Sequence, residues 1–170
     1  MCTNDCPAGR YRSPSFVCVL CSAGTYAATT SAASCLSCPS GTFASSTGSS
    51  DCSGCPAGTY AGTNGSSICS NCAPGTIAAS TGSSACVVCS PGTYASGPGL
   101  AMCSSCATGF YAVATGSSVC TSCPAGAYTS NTGSTSCDDC SAGTYSSASG
   151  AQSCVSCAAG TYSGGTGWSS

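Results

Sequence analysis

The sequence contains no histidine, no lysine and no glutamate, and only 4% of its 170 residues are charged. Apart from cysteine and tyrosine, its ionisable side chains are Arg10, Arg12, Asp5, Asp51, Asp138 and Asp139. A general acid–base pair would have to come from Asp138 and Asp139, which we interpret as solvated loop acids. Calcium needs several converging oxygen ligands, and nucleic acid needs a basic face. We therefore expect no enzyme, no cofactor, no metal and no nucleic-acid partner.

Large apolar residues are also scarce, because Leu, Ile, Val and Phe together number 15. A chain this poor in core residues is typically disordered when its net charge is high. Here the net charge is −2, and 20 residues are cysteine. So many cysteines in a chain with little apolar core indicate a disulfide framework. Disulfides persist in oxidising compartments, so we expect an extracellular or cell-surface location.

Long hydrophobic runs are missing as well. No stretch approaches the roughly 18 consecutive apolar residues that would indicate a membrane span. The first residues, which include Cys2, Asp5 and Cys6, do not resemble a signal peptide. If the protein is secreted, we expect its leader to lie outside these 170 residues.

The sequence does contain one short motif, repeated ten times. Its cysteines form CxxC doublets, each starting 17 residues after the last: Cys18 and Cys21, Cys35 and Cys38, Cys52 and Cys55, Cys69 and Cys72, Cys86 and Cys89, Cys103 and Cys106, Cys120 and Cys123, Cys137 and Cys140, Cys154 and Cys157. Cys2 and Cys6 form a CxxxC variant. We therefore divide the chain into an irregular first repeat, residues 1–17, and nine tandem 17-residue repeats, residues 18–170.

Three further positions recur when residues are counted from the second cysteine of each doublet. Position +3 is always Gly, and position +10 is Gly except for Ser31 among the regular repeats. Position +5 carries a bulky residue: Tyr11, Tyr26, Phe43, Tyr60, Ile77, Tyr94, Tyr111, Tyr128, Tyr145 and Tyr162. Gly at +3 and Thr-Gly-Ser-Ser near +10 predict two turns, and Thr-Tyr-Ala between them predicts a short strand.

This pattern predicts a fold class of small disulfide-rich repeats. We expect an extended, rod-like solenoid of short loops and β-hairpins with little or no helix, because no 3.6-residue apolar period is present. Each repeat should touch only its neighbours. The rings at +5 should line one side and pack on disulfides, since they offer the largest apolar areas.

Cys-Pro-Ala-Gly-Thr-Tyr at 55–60 has close variants at 21–26, 38–43, 89–94, 123–128, 140–145 and 157–162. It resembles the cysteine-rich repeats called ephrin-receptor-like, and the first half of tumour-necrosis-factor-receptor-type modules. The resemblance covers essentially the whole chain. Those receptor modules carry further cysteines that are missing here.

The resemblance implies a disulfide from each second cysteine to the first cysteine of the next doublet. The implied pairs are Cys6–Cys18, Cys21–Cys35, Cys38–Cys52, Cys55–Cys69, Cys72–Cys86, Cys89–Cys103, Cys106–Cys120, Cys123–Cys137 and Cys140–Cys154. A bridge inside a CxxC doublet closes a small, usually strained loop, which favours the longer pairing. Pairing between different repeats stays open.

Two cysteines remain outside this scheme, Cys2 and Cys157. Either the array continues beyond both ends, or Cys157 of one subunit is linked to Cys2 of the next. Zinc is the alternative for the doublets, since CxxC, 13 residues, CxxC comes close to a zinc-ribbon spacing. Uninterrupted tiling argues against zinc, because consecutive doublets would compete for partners.

Serine and threonine number 57, a third of the chain. They suit turns, and they also suit a carbohydrate-coated surface. Asn64-Gly-Ser66 is an N-glycosylation sequon on a predicted loop. So little charge favours self-association, glycosylation or both.

We therefore expect a structural subunit or segment of an extracellular filament, stalk or surface coat. It should be glycosylated and assembled head-to-tail with itself. The alternative is a receptor or adhesin ectodomain that binds a protein or a carbohydrate. The two functions are distinguished by how strongly single repeats differ from the common motif. Few large residues depart from that motif: Leu100, Met102, Phe110 and Trp168.

Overall fold

The structure is a computed structural model that describes residues 5–161 and 165–168. Its described residues form antiparallel β-hairpins and contain no helix. The strands are β1 Arg10–Arg12, β2 Cys18–Leu20, β3 Thr25–Tyr26, β4 Leu36–Ser37, β5 Thr42–Phe43, β6 Ser53–Gly54, β7 Thr59–Tyr60, β8 Ser70–Asn71, β9 Thr76–Ile77, β10 Val87–Val88, β11 Thr93–Tyr94, β12 Ser104–Ser105, β13 Phe110–Tyr111, β14 Thr121–Ser122, β15 Ala127–Tyr128, β16 Asp138–Asp139, β17 Thr144–Tyr145 and β18 Val155–Ser156. The prediction of small disulfide-rich repeats with short hairpins is confirmed.

Each hairpin pairs the residues at +4 and +5 with the two residues between the cysteines of the next doublet. In one example Thr42 faces Gly54 and Phe43 faces Ser53. Apart from β1 and β2, which have three residues each, the strands are only two residues long, because a turn precedes them and a buried position at +6 follows. Two-stranded ribbons this short are marginal in water on their own. Their stability must therefore come from the disulfides and from contacts with other hairpins.

The chain divides into two compact units. One comprises Met1–Cys72, Ile77–Val87 and Gly99–Ala101, and the other comprises Ala73–Thr76, Val88–Pro98 and Met102–Ser170. Within each unit the same hairpin recurs with the same main-chain hydrogen bonds. The first unit illustrates this pattern with Gly24 and the second with Gly109.

Main-chain hydrogen bonds join each hairpin to the following one. The N–H at +3 donates to the carbonyl at +6 of the next repeat, as from Gly24 to Ala44 (2.8 Å) and from Gly109 to Thr129 (2.8 Å). The N–H at +10 donates back to the second cysteine of the preceding repeat, as from Gly65 to Cys38 (2.7 Å). Because these bonds use only the backbone, they are independent of the side chains that vary between repeats.

The interior of both units consists mainly of cysteine and alanine. The second cysteines from Cys6 to Cys140 are essentially inaccessible, and so are the residues at +6: Ala27, Ala44, Ala61, Ala78, Ala95, Ala112, Thr129 and Ser146. The rings at +5 are only half-buried in the described repeats. The core therefore lies one residue beyond the ring, where a side chain must be small.

The expectation that each repeat touches only its neighbours is wrong, because repeats two apart are also in contact. A Cβ atom added to Gly24 would overlap the carbonyl oxygen of Gly65, and one added to Gly92 would overlap that of Gly133. Both glycines at +3 also have positive φ, +84° and +80°. Position +3 thus requires glycine for two independent reasons, backbone conformation and close approach of another main chain.

Candidate functional site

The disulfides are the only covalent chemistry that the described residues organise. Nine bonds are formed, with Cα–Cα distances from 5.4 to 5.8 Å: Cys6–Cys18, Cys21–Cys35, Cys38–Cys52, Cys55–Cys69, Cys72–Cys86, Cys89–Cys103, Cys106–Cys120, Cys123–Cys137 and Cys140–Cys154. These are the pairs that the resemblance implies. In each of these bonds the second cysteine of a doublet is buried and its partner is half-buried. Thiolates are what zinc binds, and these cysteines offer none.

The two remaining cysteines were predicted to lie at inter-repeat or intersubunit junctions. Cys2 lies outside the described residues, and so does the ring of Tyr162. Cys157 is half-buried, and its N–H donates to the carbonyl of Gly143 at 2.9 Å. The second cysteine of each earlier CxxC doublet makes the same bond, because its N–H donates to the carbonyl of the glycine at +3 of the preceding repeat. Linkage through Cys2 and Cys157 remains a prediction.

Two sets of hydroxyl groups are used by the fold. Threonine at +4 donates to the carbonyl at +1, in Thr25, Thr42, Thr59, Thr76, Thr93, Thr144 and Thr161. Serine at +11 donates to the carbonyl at +8, in Ser49, Ser66, Ser83, Ser117 and Ser134. The first set closes the turn after the buried cysteine, and the second set closes the turn around the glycine at +10.

Asn64, the sequon asparagine, is exposed at the second turn of its loop. Its Oδ1 accepts a hydrogen bond from the backbone N–H of Ser40 at 2.9 Å. This bond orients the side-chain amide, whose nitrogen is the atom that carries an N-glycan. The hydroxyl of Ser66, the third residue of the sequon, donates to the carbonyl of Thr63 at 2.8 Å.

The six charged side chains lie in three separate repeats, residues 1–17, 35–51 and 137–153. Asp138 and Asp139 are both exposed on β16. The guanidinium of Arg12 lies 4.5 Å from the ring centre of Phe16, and Arg10 donates to the carbonyl of Cys18 at 3.5 Å. Among residues 5–161 and 165–168, no group of three or more Cys, Asp, His or Glu is arranged to hold a metal ion.

Several shallow depressions lie on the surface of the described residues, including two that contain a phenylalanine. One, about 400 Å³ in volume, lies in the irregular first repeat and is lined by Tyr11, Arg12 and Phe16, among others. The other, about 280 Å³, is lined by Tyr94, Ala107, Phe110, Val119 and Cys120. Phe110 occupies a +4 position, where most repeats have threonine.

The buried position at +6 was not among the predicted features. Its signal was the recurrence of alanine directly after the bulky residue, which we interpreted as part of an extended stretch.

Trp168, the exceptional aromatic residue, is 46% exposed, and its carbonyl accepts a hydrogen bond from the N–H of Ser146 at 3.1 Å. Across the part of the chain that the structure describes, no helix has the length and apolarity to cross a membrane.

Comparison with known families gives one assignment. The family model described as tyrosine-protein kinase ephrin type A/B receptor-like matches four overlapping or adjacent stretches, residues 9–51, 41–89, 92–140 and 130–170. Together they cover nearly the whole chain. No curated protein matches the chain.

Proposed function

Because the chain belongs to the ephrin type A/B receptor-like family of cysteine-rich repeats, we propose that it is a structural segment of an extracellular filament, stalk or surface coat. Repeats of this family are a non-catalytic type of module, and stable disulfides indicate an oxidising, extracellular environment. The proposed segment is glycosylated and assembles head-to-tail with copies of itself.

The uniformity of the repeats is the observation that supports this function. The same disulfide, the same pair of turns and the same main-chain bonds recur from one loop to the next, and they depend on glycine, cysteine and alanine. A ligand site usually needs one repeat to differ from the others. A structural segment needs each repeat to be equivalent, so that length can be added without a change in bonding.

The covalent path also suits a segment under tension. From Cys6 to Cys154 the shortest path crosses the disulfides and the two-residue links between them, and it bypasses every loop. In a regular loop the cysteines are 14 residues apart in sequence but only about 5.7 Å apart between Cα atoms. Reduction of one such disulfide would release roughly 40 Å of extended chain.

Single-molecule stretching of the full chain, tethered at its ends, tests this proposal. We expect the oxidised chain to show no unfolding step that corresponds to a whole loop. After addition of dithiothreitol, we expect successive steps of roughly 40 Å each. Long steps before reduction would contradict a role in bearing tension.

Glycosylation and assembly need separate measurements. The intact mass of the native protein should exceed the 16.0 kDa of the polypeptide, with one N-glycan at Asn64 if the source is eukaryotic. Electron microscopy of native material should show filaments or continuous stalks. A dispersed monomer of the bare polypeptide mass would contradict both parts of the proposal.

A receptor or adhesin ectodomain is the second candidate, and one observation favours it. The depression around Phe110 is apolar and combines aromatic residues of successive repeats, Tyr94 and Phe110. Aromatic surfaces of this kind are common in binding sites for proteins and sugars.

Replacement of Phe110 by Thr, the residue that most repeats carry at +4, separates the two candidates. For an ectodomain, the substitution should abolish binding to a glycan array or to cells that the native chain recognises. For a structural segment, binding should be absent from both proteins, and stretching behaviour should be the same. Phe43→Tyr, at an ordinary +5 position, is the matched control.

A further inference from the structure

Several hydroxyl groups of the repeat make no hydrogen bond within the described residues, and those at +9 lie at the tip of the second turn. Position +9 lies directly before the glycine at +10, and it is exposed in the disulfide-closed regular loops that carry a polar residue there: Thr30, Thr47, Asn64, Thr81, Thr115, Thr132 and Ser149. In contrast to the hydroxyls at +4 and +11, the hydroxyls at +9 make no hydrogen bond with any other residue that the structure describes.

The turn itself does not require threonine at +9. The loop Cys89–Cys103 has Pro98 there, followed by Gly99 with φ +74°. Proline followed by a glycine of positive φ is the favoured pair for a type II turn, because proline presets φ at the first central residue. A β-branched residue has no such advantage, and Thr81 precedes Gly82, whose φ is +77°. The recurrent hydroxyl at +9 therefore serves something outside the fold.

Asn64 indicates what that purpose is. It occupies the same position as the threonines, and it is the asparagine of the sequon. At this one place in the loop the chain thus carries either an N-linked acceptor or a hydroxyl, both exposed on the tip of a turn.

We propose that the hydroxyls at +9 (Thr30, Thr47, Thr81, Thr115, Thr132 and Ser149) are O-glycosylation sites, which together with Asn64 place one saccharide on nearly every regular loop. The proposal rests on the glycosylated structural role above and names the atoms that carry the sugar. A glycosyltransferase supplies a sugar nucleotide as donor. The anomeric carbon forms a bond to the side-chain oxygen, its bond to the donor phosphate breaks, and the hydroxyl proton passes to a base of the transferase.

Position +4 provides the internal comparison. Thr76 and Thr81 belong to the same loop, but the Thr76 hydroxyl donates to the carbonyl of Ala73 at 2.7 Å and its side chain is half-buried. A sugar on Thr76 would remove this donor and would have to displace the turn. We therefore expect Thr76 to be unmodified and Thr81 to be modified.

The experiment is site-resolved glycopeptide mass spectrometry of the full chain from its native source, with electron-transfer fragmentation that retains the sugar. We expect most of the O-linked sugar at +9 and none at +4 or +11. Sugar mainly at +4 or +11, sugar spread evenly over all serines and threonines, or no O-linked sugar at all would overturn the proposal. In the last case an intact filament and unchanged stretching steps would leave the structural function standing.

Variants made in the native host separate modification from folding. Thr81→Pro keeps the turn found at Pro98 and should remove one glycan while the loop stays as protected from hydrogen exchange as before. Thr76→Ala should leave the Thr81 glycan in place while hydrogen exchange in that loop becomes faster. An unchanged glycan mass in Thr81→Pro would overturn the assignment.

Discussion

The first disulfide loop, Cys6–Cys18, and the regular loop Cys38–Cys52 are closed by the same bond but make their second turn in different ways. The cysteines are separated by 12 residues in the first loop and by 14 in the regular one. In the regular loop, the N–H of Gly48 donates to the carbonyl of Cys21 in the preceding loop. The first loop turns locally instead, with the N–H of Phe16 donating to the carbonyl of Ser13 at 2.9 Å.

This difference shows that the second turn has two separable roles. In every loop it reverses the chain. In regular loops it also carries the residue at +10, glycine except for Ser31, whose N–H bonds to the previous loop. Where this residue is glycine, its carbonyl lies against the glycine at +3 two loops earlier. The first loop makes only the contacts with later loops. The carbonyl of Gly48 lies against Gly9, and the N–H of Gly9 donates to the carbonyl of Ala27. The four predictions below test this comparison, starting from the largest expected effect.

Substitution of alanine for the glycine at +3 should be the most damaging change. In Gly92→Ala the new Cβ would overlap the backbone of Gly133 and would also occupy a positive-φ position. We expect a loss of about 3–4 kcal/mol in the local free energy of opening. Native-state hydrogen exchange of the oxidised protein measures it.

Gly97→Ala is the matched control, because Gly97 lies in the same loop, has no positive φ and has open space around its Cα. It should leave hydrogen exchange nearly unchanged or slightly slower. Gly9→Ala should be as damaging as Gly92→Ala. A mild effect of Gly9→Ala would mean that the first loop is not integrated into the array.

Removal of a disulfide should come second. A loop of this size contributes about 3 kcal/mol by restricting the unfolded chain. In the double variant that combines Cys38→Ser and Cys52→Ser, faster hydrogen exchange should appear in the loops before and after the loop that has lost its disulfide. In Cys6→Ser with Cys18→Ser it should spread to the later loops as far as in the first variant, because both loops make the same forward contacts, and a clearly shorter spread would contradict this comparison.

Alanine at +10 should have a smaller effect than alanine at +3. Gly116 has φ +71°, and its nearest side chain, Val88, is 3.9 Å from an added Cβ. The position therefore has space, and the cost is backbone strain of about 1–2 kcal/mol. If Gly116→Ala were as damaging as Gly92→Ala, close approach would not be the reason for glycine at +3.

The smallest change in stability should come from placing a glycine in the second turn of the first loop. Phe16 has φ +60°, so Phe16→Gly relieves strain, but it also removes the contact of Arg12 with the ring. The two effects are each on the order of 1 kcal/mol and opposite in sign. We expect a net change of less than about 0.5 kcal/mol. Thermal unfolding of the first loop, followed by the NMR signals of Tyr11, measures it.

Ser31→Gly is the companion to Phe16→Gly in a regular loop. Ser31 takes φ +56° at a +10 position, and its hydroxyl donates to Oδ1 of Asp5 at 3.0 Å. Glycine should relieve the strain at the cost of one exposed hydrogen bond. A loss larger than that of Phe16→Gly would show that the Ser31–Asp5 bond secures the start of the array.

Much of this architecture could be predicted from residues that have one dominant physical role. The spacing of the doublets and of the glycines indicated short loops, two turns and a disulfide framework, because few conformations allow such a sequence to close. The exposed tip at Asn64 could also be predicted, since turn residues surround it. These features are local, and local chemistry determines them.

The composition of the interior could not be predicted in the same way. We expected the rings at +5 to provide the buried surface, but the structure buries Ala44 and its equivalents while Phe43 stays half-exposed. Alanine at +6 carries no hydrophobic periodicity, so a pattern analysis assigns it no special place. Its burial follows from the main-chain bonds between loops, which enclose a position that holds alanine in most repeats and Thr129 or Ser146 in two others.

The sequence by itself determined the repeat, the positions of its turns and the types of residue that close them. Only the tertiary structure decided that Gly24 lies against Gly65, two repeats further along the chain. The reason is that a glycine required for positive φ and a glycine required for close packing look identical in sequence. The two roles are distinguished only when the neighbouring backbone is in place.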